Sequence, residues 1–231
     1  MRRGHRVAVL IPALNERDSL PSVLARLPEW VDRVIVVDNG STDGTDEVAL
    51  ACGAELVRAP RRGYGTAVQA GMHRLTADPP DVLVILDADD ADDPEHMHRL
   101  VDPIVTDRAE LVQIDRTQHA EPGSLTLPQR FGNWLATELI ARTVGLRTHD
   151  MGPFRAVRFA DLVALRMEDP TWGWNVEMQM KAAHAGLRVL EVPLPYHART
   201  KGESKISGSL SGAARAGVRI LAAVHRYRHP H

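Results

Sequence analysis

Cysteine is almost missing from this 231-residue chain. Cys52 stands alone, which excludes an intrachain disulfide and suits a reducing compartment such as the cytoplasm. Long apolar runs are missing too. No stretch approaches the roughly 20 apolar residues that a membrane span needs. Val7 to Leu14 follows a basic Met1 to Arg6, but it is short, contains Pro12 and runs into Asn15-Glu16, which excludes a signal peptide. A strong net charge is also lacking. The formal value of -2 gives no global attraction to nucleic acid. There is no internal repeat, no low-complexity tract and no GxxxxGK[ST] phosphate loop, so a P-loop kinase is excluded.

What the chain does have is a core. Hydrophobic residues make up 44% of it, and its length suits one large α/β domain or a domain with a small appendage. Val7 to Ile11, Val34 to Val37, Ala54 to Val57, Val82 to Leu86, Leu111 to Ile114 and Leu187 to Val192 read as strands. Helical segments separate them: Asp18 to Leu27, Thr45 to Ala51, Thr66 to Leu75, a helix opening at Pro94, Pro128 to Arg142 and Val176 to Ala185. Apolar strands alternating with helices predict a mostly parallel sheet covered on both faces. Ligands bind such sheets at the carboxyl ends of the strands. Pro12 to Glu16, Asp38 to Ser41 and Asp87 to Asp89 all fall there, so three polar clusters should meet on one edge. Asp115 to Leu127, with Pro122 and Gly123, reads as a loop.

Charge is unevenly placed. Five of the seven residues from Asp87 to Asp93 are aspartates. From Arg199 onward there are seven Lys/Arg residues and one acid, Glu203. In Asp87-Ala88-Asp89, two carboxylates flank a small residue directly after a strand. Such a pair can hold a hard divalent cation, Mg²⁺ or Mn²⁺, and through it a diphosphate leaving group. An acidic turn with a helix cap is the plainer alternative. Asp38 can accept hydrogen bonds from a nucleobase N–H, and Gly40 and Gly44 permit tight turns. Asn-Gly and Asp-Gly also mark ordinary turns.

Seven motifs in order carry a resemblance. They are Pro12-Ala13-Leu14-Asn15-Glu16, Asp38 to Thr45, Gly63-Tyr64-Gly65-Thr66-Ala67, Leu86-Asp87-Ala88-Asp89, Gly152-Pro153-Phe154-Arg155, Trp174-Asn175-Val176-Glu177-Met178 and Arg199-Thr200-Lys201-Gly202-Glu203-Ser204-Lys205. In this order and spacing the chain, from about Val7 to Ser207, resembles family-2 glycosyltransferases, and within them the dolichyl-phosphate mannose synthase-like branch. The resemblance implies a GT-A fold, a Rossmann-like sheet flanked by helices with a smaller acceptor-side region, and inverting transfer from a nucleotide diphosphate sugar. It implies one catalytic domain over 1–207, with a nucleotide-sugar half to about 114 and an acceptor half over 115–207, followed by a basic helical tail over 208–231. Carried over residue by residue, Pro12, Ala13 and Glu16 line the nucleoside pocket, and Asp38 contacts the base with Gly40 and Gly65 nearby. Asp87, Ala88 and Asp89 serve the metal and the ribose-diphosphate region. Arg199 and Lys205 reach the diphosphate.

Two positions depart from the family pattern. Where related phosphate-acceptor enzymes carry a glutamine that helps bind the metal, this chain has Ala91, leaving Asp90 or Asp92 as substitutes. Where hydroxyl-glycosylating relatives carry a catalytic aspartate, it has Asn175, leaving Asp150 and Glu177 as candidate bases. A hydroxyl acceptor needs a base, whereas a phosphate acceptor is already anionic. Asn175 therefore favours a lipid phosphate such as polyprenyl phosphate over a sugar or small-molecule hydroxyl. A sugar-1-phosphate nucleotidyltransferase is disfavoured because Pro12 to Glu16 lacks glycine and basic residues. A binding domain with degraded catalysis is the remaining alternative. Arg215, Arg219 and Arg226 fall near one stripe of the helix expected over Ser209 to Tyr227, with Arg228 close by, a candidate contact with the inner face of a membrane or the solvated face of a core-packed terminal helix. Trp172 and Trp174 fit either the acceptor pocket or the core, and Cys52 fits a small core position.

Overall fold

The structure, a computed structural model, describes residues 1–198 and 210–229, with backbone alone over 210–216. Its strands are β1 (Val7–Ala13), β2 (Arg33–Asp38), β3 (Glu55–Arg58), β4 (Val82–Ile85), β5 (Leu111–Asp115), β6 (Arg155–Arg158) and β7 (Val189–Pro193). Its helices are α1 (Leu20–Ala25), α2 (Thr45–Ala51), α3 (Tyr64–Leu75), α4 (His98–Val105), α5 (Leu127–Val144), α6 (Phe159–Ala164), α7 (Gly173–His184) and α8 (Leu210–Arg226). The strands form one sheet in the order β3-β2-β1-β4-β6-β5-β7. All pairings are parallel except those of β6, which runs antiparallel to both β4 and β5. The mostly parallel, helix-flanked α/β sheet expected from the sequence is the one observed.

Burial on both faces explains the continuous apolar strands. Along β1, Val7, Val9 and Ile11 join a cluster with Leu20 and Val23 of α1 and Leu100, Val101 and Ile104 of α4. The alternate residues Ala8 and Leu10 join a second cluster with Val68 and Leu75 of α3 and Trp174 and Met178 of α7. Side chains point to opposite faces in turn, so both sets must be apolar when both faces are covered. A third cluster joins Ile140 of α5, Val176 and Met180 of α7, and Ala223, Val224 and Tyr227 at the end of α8.

Several details differ from the sequence reading. β1 continues through Pro12 to Ala13. Its ladder with β4 ends at Leu10↔Ile85, so the missing N–H of Pro12 leaves no β4 bond unmade. Pro94 opens a short 3-10 turn, capped by Asp93 accepting from Glu95 N at 3.1 Å, before α4 begins. Strand β6 and helix α6 were not expected. β6 reads Arg-Ala-Val-Arg, without an apolar run, yet it lies in the middle of the sheet. It tolerates Arg155 because the buried guanidinium folds back to donate to the carbonyls of Gly152 and Pro153. Cys52 is exposed at the end of α2 rather than in the core.

Candidate active site

The carboxyl ends of β1 and β2 are tied together by their own loops. Asn39 N donates to Ala13 O at 2.8 Å, and Thr42 N donates to Asn15 Oδ1 at 2.8 Å. Asn15 N donates to Ser41 Oγ and Glu16 N to Thr45 Oγ1, each at 2.9 Å. Asn15 holds a left-handed backbone (φ 52°), a conformation asparagine tolerates better than most residues. Asp38 is buried and accepts from Ser41 N at 3.0 Å and Gly40 N at 3.3 Å, which shapes its turn. Pro12, Ala13, Glu16, Asp38 and Gly40 therefore share one rim, as expected. Gly65 has a different neighbour. A Cβ there would lie 1.9 Å from Asp169 O, and Gly65 N donates to Thr171 O at 3.3 Å. The glycine is needed because the 169–171 strap lies directly on the start of α3.

The acidic segment follows β4 at the same edge. Asp87 is half-buried, while Ala88 and Asp89 are buried. Asp89 Oδ1 accepts from Ala91 N at 3.2 Å. Arg26 holds two of the neighbouring aspartates, pairing with Asp90 and, at 3.3 Å, with Asp93. Asp90 thus faces Arg26 in this structure. Asp92 is different: it is only 3% exposed, and neither carboxylate oxygen has a hydrogen-bond partner. Burial, and then the charges of Asp89 and Asp87, push its pKa well above the ordinary carboxylate value against the pull of Arg116. A buried carboxyl without a partner beside two more carboxylates is a local deficit of positive charge, which a divalent cation would satisfy. Among the described residues no three His, Cys, Asp or Glu side chains form a ready-made metal cage. A cation here would draw its remaining ligands from donor phosphate and water, the usual Mg²⁺ arrangement.

Across β6 the site becomes basic. Arg116 follows β5, and its Nε and terminal nitrogen donate to the two Asp150 oxygens at 2.7 and 2.8 Å. Asp150 also accepts from Arg116 N at 2.9 Å and Met151 N at 2.7 Å. Burial opposes its charge, but Arg116 and these bonds prevail and hold its pKa below the ordinary value. Such a carboxylate is an anchor, poorly suited to taking a proton. Glu177, fully buried on α7, accepts from Glu168 N and Asp169 N at 2.8 Å each and pairs with Lys181 at 2.8 Å. It fixes the 168–171 strap. Both candidate bases are thus engaged in holding loops.

Between α5, α7, α8 and the 116–125 and 147–151 loops lies a groove of about 1080 Å³. Arg116, Arg130, Arg147 and Arg219 line it, together with Trp172 and Asn175. The two tryptophans divide their roles. Trp174 is buried in the core, whereas Trp172 is half exposed and stacks on Tyr64 with centroids 5.3 Å apart. Tyr64 begins α3 beside the rim formed by the β1 and β2 loops, so this stack joins the two sides of the cleft. Arg199 and Lys205 lie outside the described residues, as does the side chain of Arg215. Arg219, Arg226 and Arg228 are exposed, and Arg226 pairs with Glu168 at 3.2 Å. Asp92 was named from the sequence as a substitute metal ligand, whereas Arg116 and the burial of Arg155 were not singled out. For Arg116 the only available signal was its position after a strand end.

Comparison with known proteins agrees with this geometry. The family model described as Glycosyl transferase family 2 matches residues 8–165. An uncharacterized glycosyltransferase of Mycobacterium tuberculosis is 40% identical over 212 residues, covering 91% of this chain and 94% of that protein. An undecaprenyl-phosphate mannosyltransferase of Micrococcus luteus is 34% identical over 225 residues, covering 90% of each. Among solved structures, glucosyl-3-phosphoglycerate synthase from Mycobacterium tuberculosis, in complex with Mn²⁺, uridine diphosphate and phosphoglyceric acid, superposes with a TM-score of 0.78. It is 23% identical and covers 99% of this chain and 80% of that one, a likeness of GT-A fold.

Proposed function

The chain belongs to glycosyl transferase family 2, and we propose that it moves a hexose, with inversion, from a UDP- or GDP-linked donor to a lipid phosphate of the polyprenyl class. The observation that carries this reading is the groove beside the acidic edge. It presents four arginines, while the two carboxylates that might have served as bases are bound up as anchors. Its acidic lining residues are matched internally: Glu121 by His197, Glu138 by Arg142 and Asp150 by Arg116. An anionic acceptor suits that balance and needs no proton removed. The undecaprenyl phosphate in the name of the Micrococcus relative supports the same choice.

In this reading Pro12, Ala13 and Glu16 bound the nucleoside pocket. Asp38 offers its remaining lone pairs to a base N–H, with Gly40 and Gly65 shaping the rim. Asp87 and Asp89, spaced by Ala88, would hold Mg²⁺ or Mn²⁺, with the Asp92 carboxylate close enough to feel both. The cation, when bound, supplies charge neutralisation of the diphosphate. Arg199 and Lys205 add positive charge to the same leaving group. Arg116, fixed in direction by Asp150, faces the acceptor phosphate. An acceptor oxygen forms the new bond to the anomeric carbon as the bond to the diphosphate breaks, and the electron pair departs on the nucleoside diphosphate. The reaction would take place on the cytoplasmic side of a membrane, with no nucleic acid involved.

The test is transfer from radiolabelled UDP- and GDP-hexoses, with Mn²⁺ or Mg²⁺, to a short polyprenyl phosphate and to the corresponding alcohol. Product from the phosphate alone is expected. Transfer to the alcohol or to a free sugar, with the phosphate ignored, would overturn the acceptor assignment.

A further inference from the structure

Helix α5 carries apolar side chains on two faces. Inward, Ala136 and Ile140 are buried. Outward, Leu127, Phe131 and Trp134 follow at spacings of four and three and are 81%, 61% and 57% exposed. These spacings place all three on one stripe along the first two turns. The rings of Phe131 and Trp134 lie 5.8 Å apart. An apolar row of this kind is costly to leave in water and marks a contact surface. Arg130 is exposed on the same turn as Phe131, and Arg147 and Arg219 are exposed along the groove that Phe131 and Trp134 also line. Two acids of that groove, Asp150 and Glu138, are already paired with arginines and Glu121 is hydrogen-bonded to His197, so the face is apolar with an arginine-rich rim.

We propose that this outer face of α5 docks on the surface of an anionic bilayer. Leu127, Phe131 and Trp134 enter the boundary between headgroups and acyl chains, and Arg130, Arg147 and Arg219 meet lipid phosphates. A second copy of the chain is a poorer occupant, because two such faces would set arginines against arginines. The helix lies on the membrane, since no helix among the described residues is long and apolar enough to cross one. This adds a second contact to the one expected of α8, whose Ala223 and Val224 are buried against α5 and α7 while its Val218 and Leu221 are exposed. It also builds on the acceptor reading above. With the groove opening beside the stripe, a lipid phosphate presents its headgroup to Arg116 while its chain stays in the bilayer.

The docking is tested without acceptor or donor, so its outcome is independent of the acceptor assignment. The full chain is floated with phosphatidylglycerol–phosphatidylcholine vesicles that contain no polyprenyl phosphate. The combined variant Leu127→Ser, Phe131→Ser, Trp134→Ser should partition at least about tenfold less than wild type, with an unchanged Tm because all three side chains are exposed. Arg130→Glu should remove most of the preference for anionic over zwitterionic vesicles. Wild-type fluorescence should shift to the blue on vesicle addition, and Trp134→Phe should abolish most of that shift. Equal flotation of wild type and the combined variant, or no flotation of either, would overturn the proposal. A lipid-free dimer that the combined variant loses, with no flotation, would assign the face to a second copy.

Discussion

Replacing Glu177 by glutamine separates an anchor from a base, because the two roles predict opposite combinations of stability and turnover. The wild-type carboxylate is fully buried and accepts Glu168 N and Asp169 N at 2.8 Å each, with Lys181 Nζ 2.8 Å away. A glutamine of the same shape satisfies one backbone donor through its oxygen and turns its NH₂ toward the other. Lys181 retains its bond to Arg166 O at 2.7 Å but loses its counter-charge. One charge-assisted hydrogen bond is worth about 1.5–3 kcal/mol, and the weakened ion pair brings the total cost to about 3 kcal/mol. For a chain of this length that lowers Tm by roughly 6–12 °C. Scanning calorimetry measures this, alongside single-turnover donor consumption well below both midpoints. Turnover should fall only as far as the 168–171 strap loosens Trp172 and the start of α3. An unchanged Tm with turnover lost by orders of magnitude would refute the reasoning and make Glu177 the base.

Three further substitutions probe the site from other directions. Asp92→Asn removes a buried carboxyl group that has no partner, so metal-free protein should gain about 1 kcal/mol of stability at pH 7 while losing the Mn²⁺-dependent rise in Tm; a lower Tm in the absence of metal would contradict this. Asp150→Asn breaks the Arg116 pair and should cost about 3 kcal/mol at pH 7. The folded-state pKa of Asp150 is lowered, so its contribution is present above the unfolded carboxylate pKa and is lost as pH falls through the folded value. The stability gap to wild type should therefore narrow below about pH 4, and a gap that stays constant down to pH 3 would argue against the pair. Gly65→Ala sets a methyl group 1.9 Å from Asp169 O, which must displace the strap. A loss of about 2 kcal/mol or more is expected by chemical denaturation, and a neutral result would remove the strap from the description.

The first half of the chain, through β4, was legible because its signals are local. Thr45–Ala51 has the predicted helix bounds, and the three polar clusters meet at one sheet edge because parallel strands deliver their carboxyl ends together. The second half was harder to read. β6 is four residues long with arginine at both ends, and it pairs with partners far away in sequence. The role of Glu177 depends on two backbone amides that fold beneath it, which no spacing announces. The outer stripe of α5 was hidden for another reason. Apolar residues on both faces blur the helical period, so the segment could be read as a helix but not as one with an exposed apolar side. Gly65 was assigned to the base from its motif, and the structure adds the nearer reason, a strap lying on the start of α3.

Donor binding is the claim on which the rest depends. Isothermal titration of a UDP-hexose and a GDP-hexose into wild type and into Asp89→Ala, each with Mn²⁺ and with chelator, tests it most directly. The account predicts binding of one donor by wild type with Mn²⁺, and loss of at least about tenfold in affinity both on chelation and in Asp89→Ala. Equal affinity in all four conditions would contradict it, because the diphosphate would then be held somewhere other than at Asp87-Ala88-Asp89.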